Sequence, residues 1–384
     1  LTDGNAVTAI EATVKTSLKE SYKLILKGNK GELSELYVFF KLLADGTIYS
    51  ADESLLKTGE FIEVVAITRK DEIEEVQFDV IKDEIQIVNK ATKTNLLTFS
   101  REHSKSLAAK ILTDIQKNSR LKENTQEEII ECKVTKVAKK SGNKGDIKIQ
   151  IYDPKHGIES NQEFSIKSFL GSNPTLFNSN KTTNIVYEVS DENGNPMSKK
   201  DIDLVNGIDK RHNKYINRIS KILELGYHIK FSTYQDKIFK LNLQLIDSDL
   251  PKIIAAVVLA KFEHRIIKIE EVVKYLRSLN PMDYDLSEGH RFYEYRIVNF
   301  LMEAALGMTS KTAWSGDYQV IGGILIVKPD AEILCYHLID FNKFRSYLKK
   351  ACKVDNPSGS KMGYGFLFIE KEKSYIKLNF QIKA

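Results

Sequence analysis

The chain has 384 residues, 42% of them hydrophobic and 28% charged, which is ample material for a core and excludes a disordered chain. Its longest apolar run, 253–260, is far too short to cross a bilayer, so no membrane partner is expected, and no charged-then-apolar signal segment opens the sequence. A net charge of +5 tolerates a nucleic-acid partner without demanding one. Three dispersed cysteines, Cys132, Cys335 and Cys352, offer neither a disulfide framework nor a zinc spacing and point to a reducing cytoplasm.

In chain order, apolar positions at helical spacing (Leu18, Tyr22, Ile25, Leu26) predict a helix over 5–27. A Gly-Asn-Lys-Gly break at 28–31 precedes a second helix expected over 32–43 and ended by Ala44-Asp45-Gly46. Alternation and β-branching then predict strands at 61–67, 75–81 and 84–88. An amphipathic helix is expected at 101–120, followed by a strand at 129–136 and a lysine-rich turn at 139–144. A hairpin over 145–168 comes next, then a Ser/Thr/Asn-rich loop at 170–184 and a strand at 185–189. The run Asp-Glu-Asn-Gly-Asn-Pro marks 190–200 as the best linker, which divides the chain near 195/196. Beyond it, helices are expected at 202–225, 248–263, 268–279 and 287–307 around a strand pair at 227–246. The last stretch returns to β structure at 318–338, a short helix at 340–351 and a hairpin at 363–383. The class is α+β (mixed α/β). The pentapeptides at 240–244 and 377–381, Lys-Leu-Asn-Leu-Gln and Lys-Leu-Asn-Phe-Gln, read as coincidence or shared strand chemistry.

The hairpin carries the chemistry. A turn centred between 156 and 157 sets Asp146 opposite Lys167, Lys148 opposite Ser165 and Gln150 opposite Glu163, all on one face. The other face holds Ile147, Ile149, Ile151, Phe164 and Ile166. A divalent ion beside a phosphodiester neutralises developing charge and activates water. Mg²⁺ needs only one or two protein carboxylates, and a neighbouring lysine orients water or stabilises the phosphate. Asp146 suits the ligand's role and Lys167 the lysine's. The plain alternative is a solvated hairpin face with an incidental ion pair.

A second carboxylate is available at Glu32 or Glu35, three apart on one helix face. The helix dipole alone accounts for Glu32, in the first turn, so Glu35 is the better candidate. Hydroxyl and amide side chains after the hairpin (Asn173, Thr175, Asn178, Ser179, Asn180) and Lys181 suit phosphate contacts. Asn356, Ser358, Ser360 and Lys361, in a polar segment read as a flexible loop, suit base edges. A basic stripe of Lys210, Arg211, His212, Lys214, Arg218 and Lys221 is weighed against a merely solvated face. The segment 314–330 reads as a hairpin whose glycine pair permits close backbone approach. No HExxH, P-loop, nucleophile elbow or GxGxxG pattern is present.

The segments 28–46 (Gly-Asn-Lys-Gly-Glu-Leu-Ser-Glu-Leu-Tyr), 164–179 (Phe-Ser-Ile-Lys-Ser-Phe-Leu-Gly-Ser-Asn-Pro), 242–251 and 377–382 resemble, in order, the HpaII family of type II restriction endonucleases. That resemblance implies a restriction-endonuclease core of the PD-(D/E)xK type, a mixed central sheet flanked by helices, within residues 1–195. It leaves 196–384, helix-rich with β-hairpins, for DNA recognition or dimerisation. It implies Mg²⁺-dependent cleavage of double-stranded DNA at a short palindromic site by a homodimer, with Asp146 and Lys167 as motif residues and Glu35 as the helix-borne acid. A repair or recombination nuclease, or a DNA-binding module with a decayed site, are the alternatives. Two positions depart from the motif: Gly145 stands where it has Pro, and Ser165 occupies the catalytic place of its second carboxylate, leaving Glu35 or Glu163 to supply the charge.

Overall fold

The computed structural model describes residues 26–70, 74–118, 120–137, 145–209, 213–318 and 320–384. In chain order its elements are α1 (Lys30–Asp45), β1 (Thr47–Ala51), β2 (Lys57–Lys70), β3 (Glu75–Ile81), β4 (Glu84–Asn89), β5 (Asn95–Ser100), α2 (Arg101–Asn118) and α3 (Glu123–Glu131). Next are β6 (Ile147–Asp153), β7 (Ile158–Ser168), β8 (Thr175–Phe177), β9 (Ile185–Ser190), α4 (Lys199–Asn206), α5 (Lys214–Glu224) and β10 (His228–Tyr234). Four helices follow: α6 (Lys237–Ile246), α7 (Leu250–His264), α8 (Ile269–Leu279) and α9 (Phe292–Leu306). The remaining elements are β11 (Gly323–Val327), β12 (Ile333–His337), α10 (Phe341–Ala351), β13 (Lys353–Asp355), α11 (Gly359–Met362), β14 (Leu367–Glu370), β15 (Lys373–Leu378) and β16 (Gln381–Lys383). They fall into two compact units. One takes the described parts of Leu1–Gly46 and Val65–Lys140, the other those of Thr47–Val64 and Ser141–Ala384.

In the first unit α1 is bounded by its own sequence. Asn29 accepts from the Glu32 amide at 3.1 Å while Glu32 accepts from the Asn29 amide at 2.7 Å, a capping box. Gly46, at φ 65°, closes the helix in the left-handed region. Leu36, Phe39, Phe40 and Leu43 are fully buried, and Ser104 of α2 donates to the Phe40 carbonyl at 2.9 Å. The second half of β2 with β3, β4 and β5 makes an antiparallel meander, and Phe78 meets Phe39 edge-on at 4.8 Å.

The strand expected over 129–136 is not formed. Asp114 accepts from the Lys122 amide at 2.9 Å and from Thr125 Oγ1 at 2.7 Å, tying down the start of α3, whose Ile129 is buried. The adjacent Ile129 and Ile130 are thus a helical pair whose β-branching misleads. The helix expected over 5–27 lies outside the described residues except for 26 and 27, which are not helical.

In the second unit the strands neighbour one another in the order β1-β12-β11-β7-β6-β2, and β1 also pairs with β2. The six strands therefore close on themselves. The α+β class holds, but this closure departs from the sheet flanked by helices that the sequence led us to expect. Ile147, Ile149, Ile151, Phe164 and Ile166 are buried on one face of the hairpin, and register adds Leu325 and Cys335 to it. A separate apolar cluster joins the helices to two smaller sheets, β10-β9-β15-β14 and β13-β16-β8. At its centre Phe177 packs against Phe239, Phe300 and Phe380 at 5.5, 5.2 and 5.7 Å.

Other expectations change here. Residues 237–246 alternate like a strand but form α6, because Asp236 accepts from the amides of Ile238 and Phe239 at 2.8 and 3.2 Å. The helical choice buries Phe239, Asn242 and Leu243 together and leaves Leu241 and Leu245 exposed. The two echoing pentapeptides consequently differ: one is helical, the other runs from the end of β15 to the start of β16. The stretch 190–200 is a turn and the start of α4 inside the second unit, with Met197 buried. Among the described residues of 314–330, β11 is the one strand. The segment's glycine pair does permit close approach, Gly322 lying against the Phe164 ring and Gly323, at φ 107°, against the Tyr336 carbonyl. The supposed loop at 353–365 contains β13 and α11.

Candidate active site on the β6–β7 hairpin

The turn that joins β6 to β7 is tighter than the sequence suggested. Asp153 pairs with Ile158, its carbonyl accepts from the Gly157 amide at 2.8 Å, and Gly157 takes the left-handed conformation at φ 65°. Ile147 then faces Phe164 and Lys148 faces Glu163, a register two residues away from the expected one. A shift of two keeps every side chain on its face. The charged and apolar faces are therefore as read, but Asp146 stands across from Ser165 rather than Lys167.

That change is chemically important. The Asp146 amide donates to the Phe164 carbonyl at 2.9 Å, which fixes the start of the hairpin. Asp146 Oδ2 accepts from the Ile166 amide at 2.6 Å and from Ser165 Oγ at 3.0 Å. Ser165 Oγ in turn accepts from Lys167 Nζ at 2.9 Å. The Ser165 hydroxyl, only 2% exposed, thus bridges the two residues the sequence singled out. On the β11 side, Ile324 pairs with Ser165 and Ile326 with Lys167, so an apolar strand flanks the bridge and raises the worth of each polar contact.

The two motif departures have structural counterparts. A Cβ at residue 145 would collide with the Glu163 carboxylate, so glycine is what allows Glu163 to sit beside the residue preceding Asp146. Ser165 places a neutral donor where the resemblance led us to expect a second carboxylate. Glu32 is engaged in its capping box. Glu35 lies on α1 of the first unit, partly buried.

The polar residues proposed for DNA divide into two kinds. Asn180 caps the helical turn Lys181–Thr183 and donates to Ser310, while Thr175 lies in β8; these two are engaged in the fold. Asn173, Asn178, Lys181, Asn356, Ser358, Ser360 and Lys361 are exposed, and Ser179 is half-buried. Of the basic stripe, 210–212 lie outside the described residues. Arg218 is buried and donates to the carbonyls of Ile208, Gly365 and Asn206 at 3.1, 2.6 and 2.7 Å, so it holds the fold together.

No local pattern signals the cavity of about 230 Å³ at the turn end of the same hairpin, because it is built from segments far apart in the chain. Glu60 there bonds to Lys155 and Lys343 at 2.6 and 2.7 Å, and these hydrogen bonds hold its carboxyl down at about 2. His337 bonds to Gln162 at 2.6 Å, and burial depresses its pKa. His156 Nδ1 lies 2.8 Å from Asp153.

The model of the HpaII restriction endonuclease family matches residues 29–384. The chain belongs to the HpaII restriction endonuclease family. It is 33% identical to the type II restriction enzyme HpaII of Haemophilus parainfluenzae over 360 residues, covering 93% of this chain and 98% of that one. No solved structure shows a significant match. As a member of this family the protein is a sequence-specific DNA endonuclease of a restriction–modification system, a type II site-specific deoxyribonuclease. HpaII-family membership brings the expectation of a divalent metal. Among the described residues no three His, Cys, Asp or Glu side chains gather as a cage. The hairpin nevertheless offers the Asp146 carboxylate, whose Oδ1 makes no hydrogen bond to a described residue, and the Glu163 carboxylate. That sparse oxygen set fits a hard ion which keeps most of its own water. No helix among the described residues is long and apolar enough to cross a membrane.

Proposed function

We propose that this endonuclease hydrolyses DNA at the open end of the β6–β7 hairpin, with Asp146 and Lys167 as its catalytic residues and Mg²⁺ as its metal. The observation that carries the reading is the continuous chain Asp146–Ser165–Lys167, with links of 3.0 and 2.9 Å. Asp146 would hold the metal through its unengaged oxygen, with Glu163, whose carboxylate sits beside Gly145, as the second carboxylate on the same hairpin. When bound, Mg²⁺ supplies charge neutralisation at the phosphodiester and lowers the pKa of water. Lys167 spends one N–H on Ser165 and keeps two donors for a phosphate oxygen or for the attacking water. Ser165 sets the direction of the lysine and holds Asp146 in one rotamer. Glu35 remains the acid that the family resemblance suggests, and its part is decided by substitution.

The exposed residues Asn173, Asn178, Lys181, Asn356, Ser358, Ser360 and Lys361, with Ser179, are proposed DNA contacts. A homodimer on a palindromic site is the arrangement we favour, since two-fold protein symmetry matches two-fold DNA symmetry. Three buried free thiols suit a cytoplasmic enzyme.

Plasmid DNA incubated with Mg²⁺ and the wild-type protein is expected to give discrete bands. Asp146→Asn and Lys167→Ala are each expected to lower the rate ~10²–10⁴-fold, with DNA binding retained. Full activity in either variant sinks the assignment, and a mobility shift without cleavage by the wild type points to a binding module.

A further inference from the structure

A second cavity, of about 250 Å³, opens between α8 and the start of α9. Its floor is apolar, with Val273 and Tyr293 buried, and its rim carries Lys274, Arg277, His290 and Arg291. Lys274 and Arg277 are exposed and lie one turn apart on α8, where side chains three residues apart are neighbours. Among the described residues neither has an ion-pair or hydrogen-bond partner. The one carboxylate in the lining, Glu294, is already shared between Lys349 at 3.2 Å and Arg291 at 3.6 Å.

The walls are held rigidly. Phe292 stacks on Tyr284 at 4.7 Å and on His290 at 5.6 Å, which orients the imidazole beside the rim. Tyr284 donates to Asp249 at 2.6 Å and Tyr293 to Asn280 at 2.8 Å, fixing both rings. Residues 292–294 of the first turn of α9 line the cavity, and Arg291 occupies the cap position without making a side-chain cap. The site therefore pairs a shaped concavity with three permanent cations, two of which form no ion pair among the described residues. Such an arrangement suits a compact anion, and a phosphate group matches both the guanidinium fork and the ammonium point charge.

We propose that this cavity binds a phosphate of the DNA backbone, through Lys274 and Arg277 above all, and thereby positions the duplex without reading its sequence. The inference rests on the family's action on DNA. Free phosphate shares the same chemistry, so the test has an arm for each source.

Anisotropy of a labelled random-sequence duplex, followed between about 50 and about 200 mM salt, reads the backbone contact directly. The double variant Lys274→Gln/Arg277→Gln is expected to bind about ten-fold more weakly. The slope of log K against log salt should fall by ~0.9, the value for one lost phosphate contact. Plasmid cleavage should show a raised KM and an unchanged kcat. Both positions are exposed, so the fold should survive, and Lys268→Gln, at the residue just before the same helix, where the lysine already lies 3.8 Å from Glu271, is the control. An unchanged slope and affinity in a variant of an otherwise active enzyme overturns the cavity alone. A wild type that neither binds nor cleaves DNA overturns the function and this inference with it. If inorganic phosphate raises the Tm of the wild type but not of the variant while DNA binding is identical in both, the cavity takes free phosphate and the DNA assignment fails.

Discussion

Ser165 donates its hydroxyl hydrogen to Asp146 Oδ2 at 3.0 Å across the hairpin, and it is the acceptor that anchors Lys167. A serine at this place can therefore couple the acid to the lysine with a neutral group. Ser165→Ala leaves a cavity of one oxygen and frees the ammonium to sample other rotamers. We expect cleavage to slow about 10–100-fold, with DNA affinity unchanged and stability reduced by only ~0.5–1.5 kcal/mol, the usual worth of one hydrogen bond. Single-turnover cleavage beside a thermal melt separates the two effects. An unaltered rate would show that the lysine needs no anchor.

Glu163 and Glu35 are distinguished by metal dependence. Glu163→Gln preserves size and removes the charge beside Asp146. If Glu163 completes the metal's oxygen set, half-maximal activity should require at least about ten-fold more Mg²⁺, in line with the loss of one carboxylate from a hard-ion site. Glu35→Gln should then leave the Mg²⁺ titration in place. The reverse result transfers the role to Glu35.

Arg218 tests what a buried cation contributes to the fold. Its guanidinium serves three carbonyls, with Phe366 stacked 4.0 Å from its centre. Arg218→Ala strips those carbonyls of their donor and opens a hole, and we expect a loss of ~3–5 kcal/mol in urea unfolding. A loss of about 1 kcal/mol or less would assign the arginine to a surface role.

Lys261 links stability to pH. Its amine is buried and has no hydrogen-bond partner among the described residues, and desolvation lowers its pKa to about 7. The unfolded chain holds that proton up to the ordinary lysine value, so between pH 7 and roughly 10.4 it binds more protons than the folded one. Stability should therefore rise with pH through this window. Lys261→Met should flatten the rise and add ~1–3 kcal/mol near neutrality, the cost of an unsatisfied buried group. Denaturant titrations at several pH values measure both, and parallel pH profiles for the two proteins would refute the assignment.

The hairpin shows where local pattern suffices. Alternation of isoleucines with polar residues determines which side of β6 and β7 is buried, and a two-residue error in register cannot disturb that, because side chains repeat every second residue. Capping signals behave in the same way. Asn29 with Glu32 and the closing Gly46 set the limits of α1 through contacts within a few residues. Segment 237–246 is the opposite case. Its alternation favours a strand, and the helix is selected by Asp236 at its start together with the burial of Phe239 against the distant Phe177 ring and of Leu243 in the same core.

By itself, then, the sequence determined the α+β class, the polar and apolar faces of the hairpin, the candidate pair Asp146 and Lys167, and the family. Each of these depends on spacing along the chain or on residues retained in order. Only the tertiary structure decided that Ser165 joins the pair, that Arg218 is a core residue, that β1 pairs with β2 to close the strands, and that Lys274, Arg277 and Arg291 surround one cavity. These are contacts among segments separated by a turn of unknown length or by as many as 147 residues. Turn geometry and packing settle them, and neither leaves a periodic trace in the order of residues.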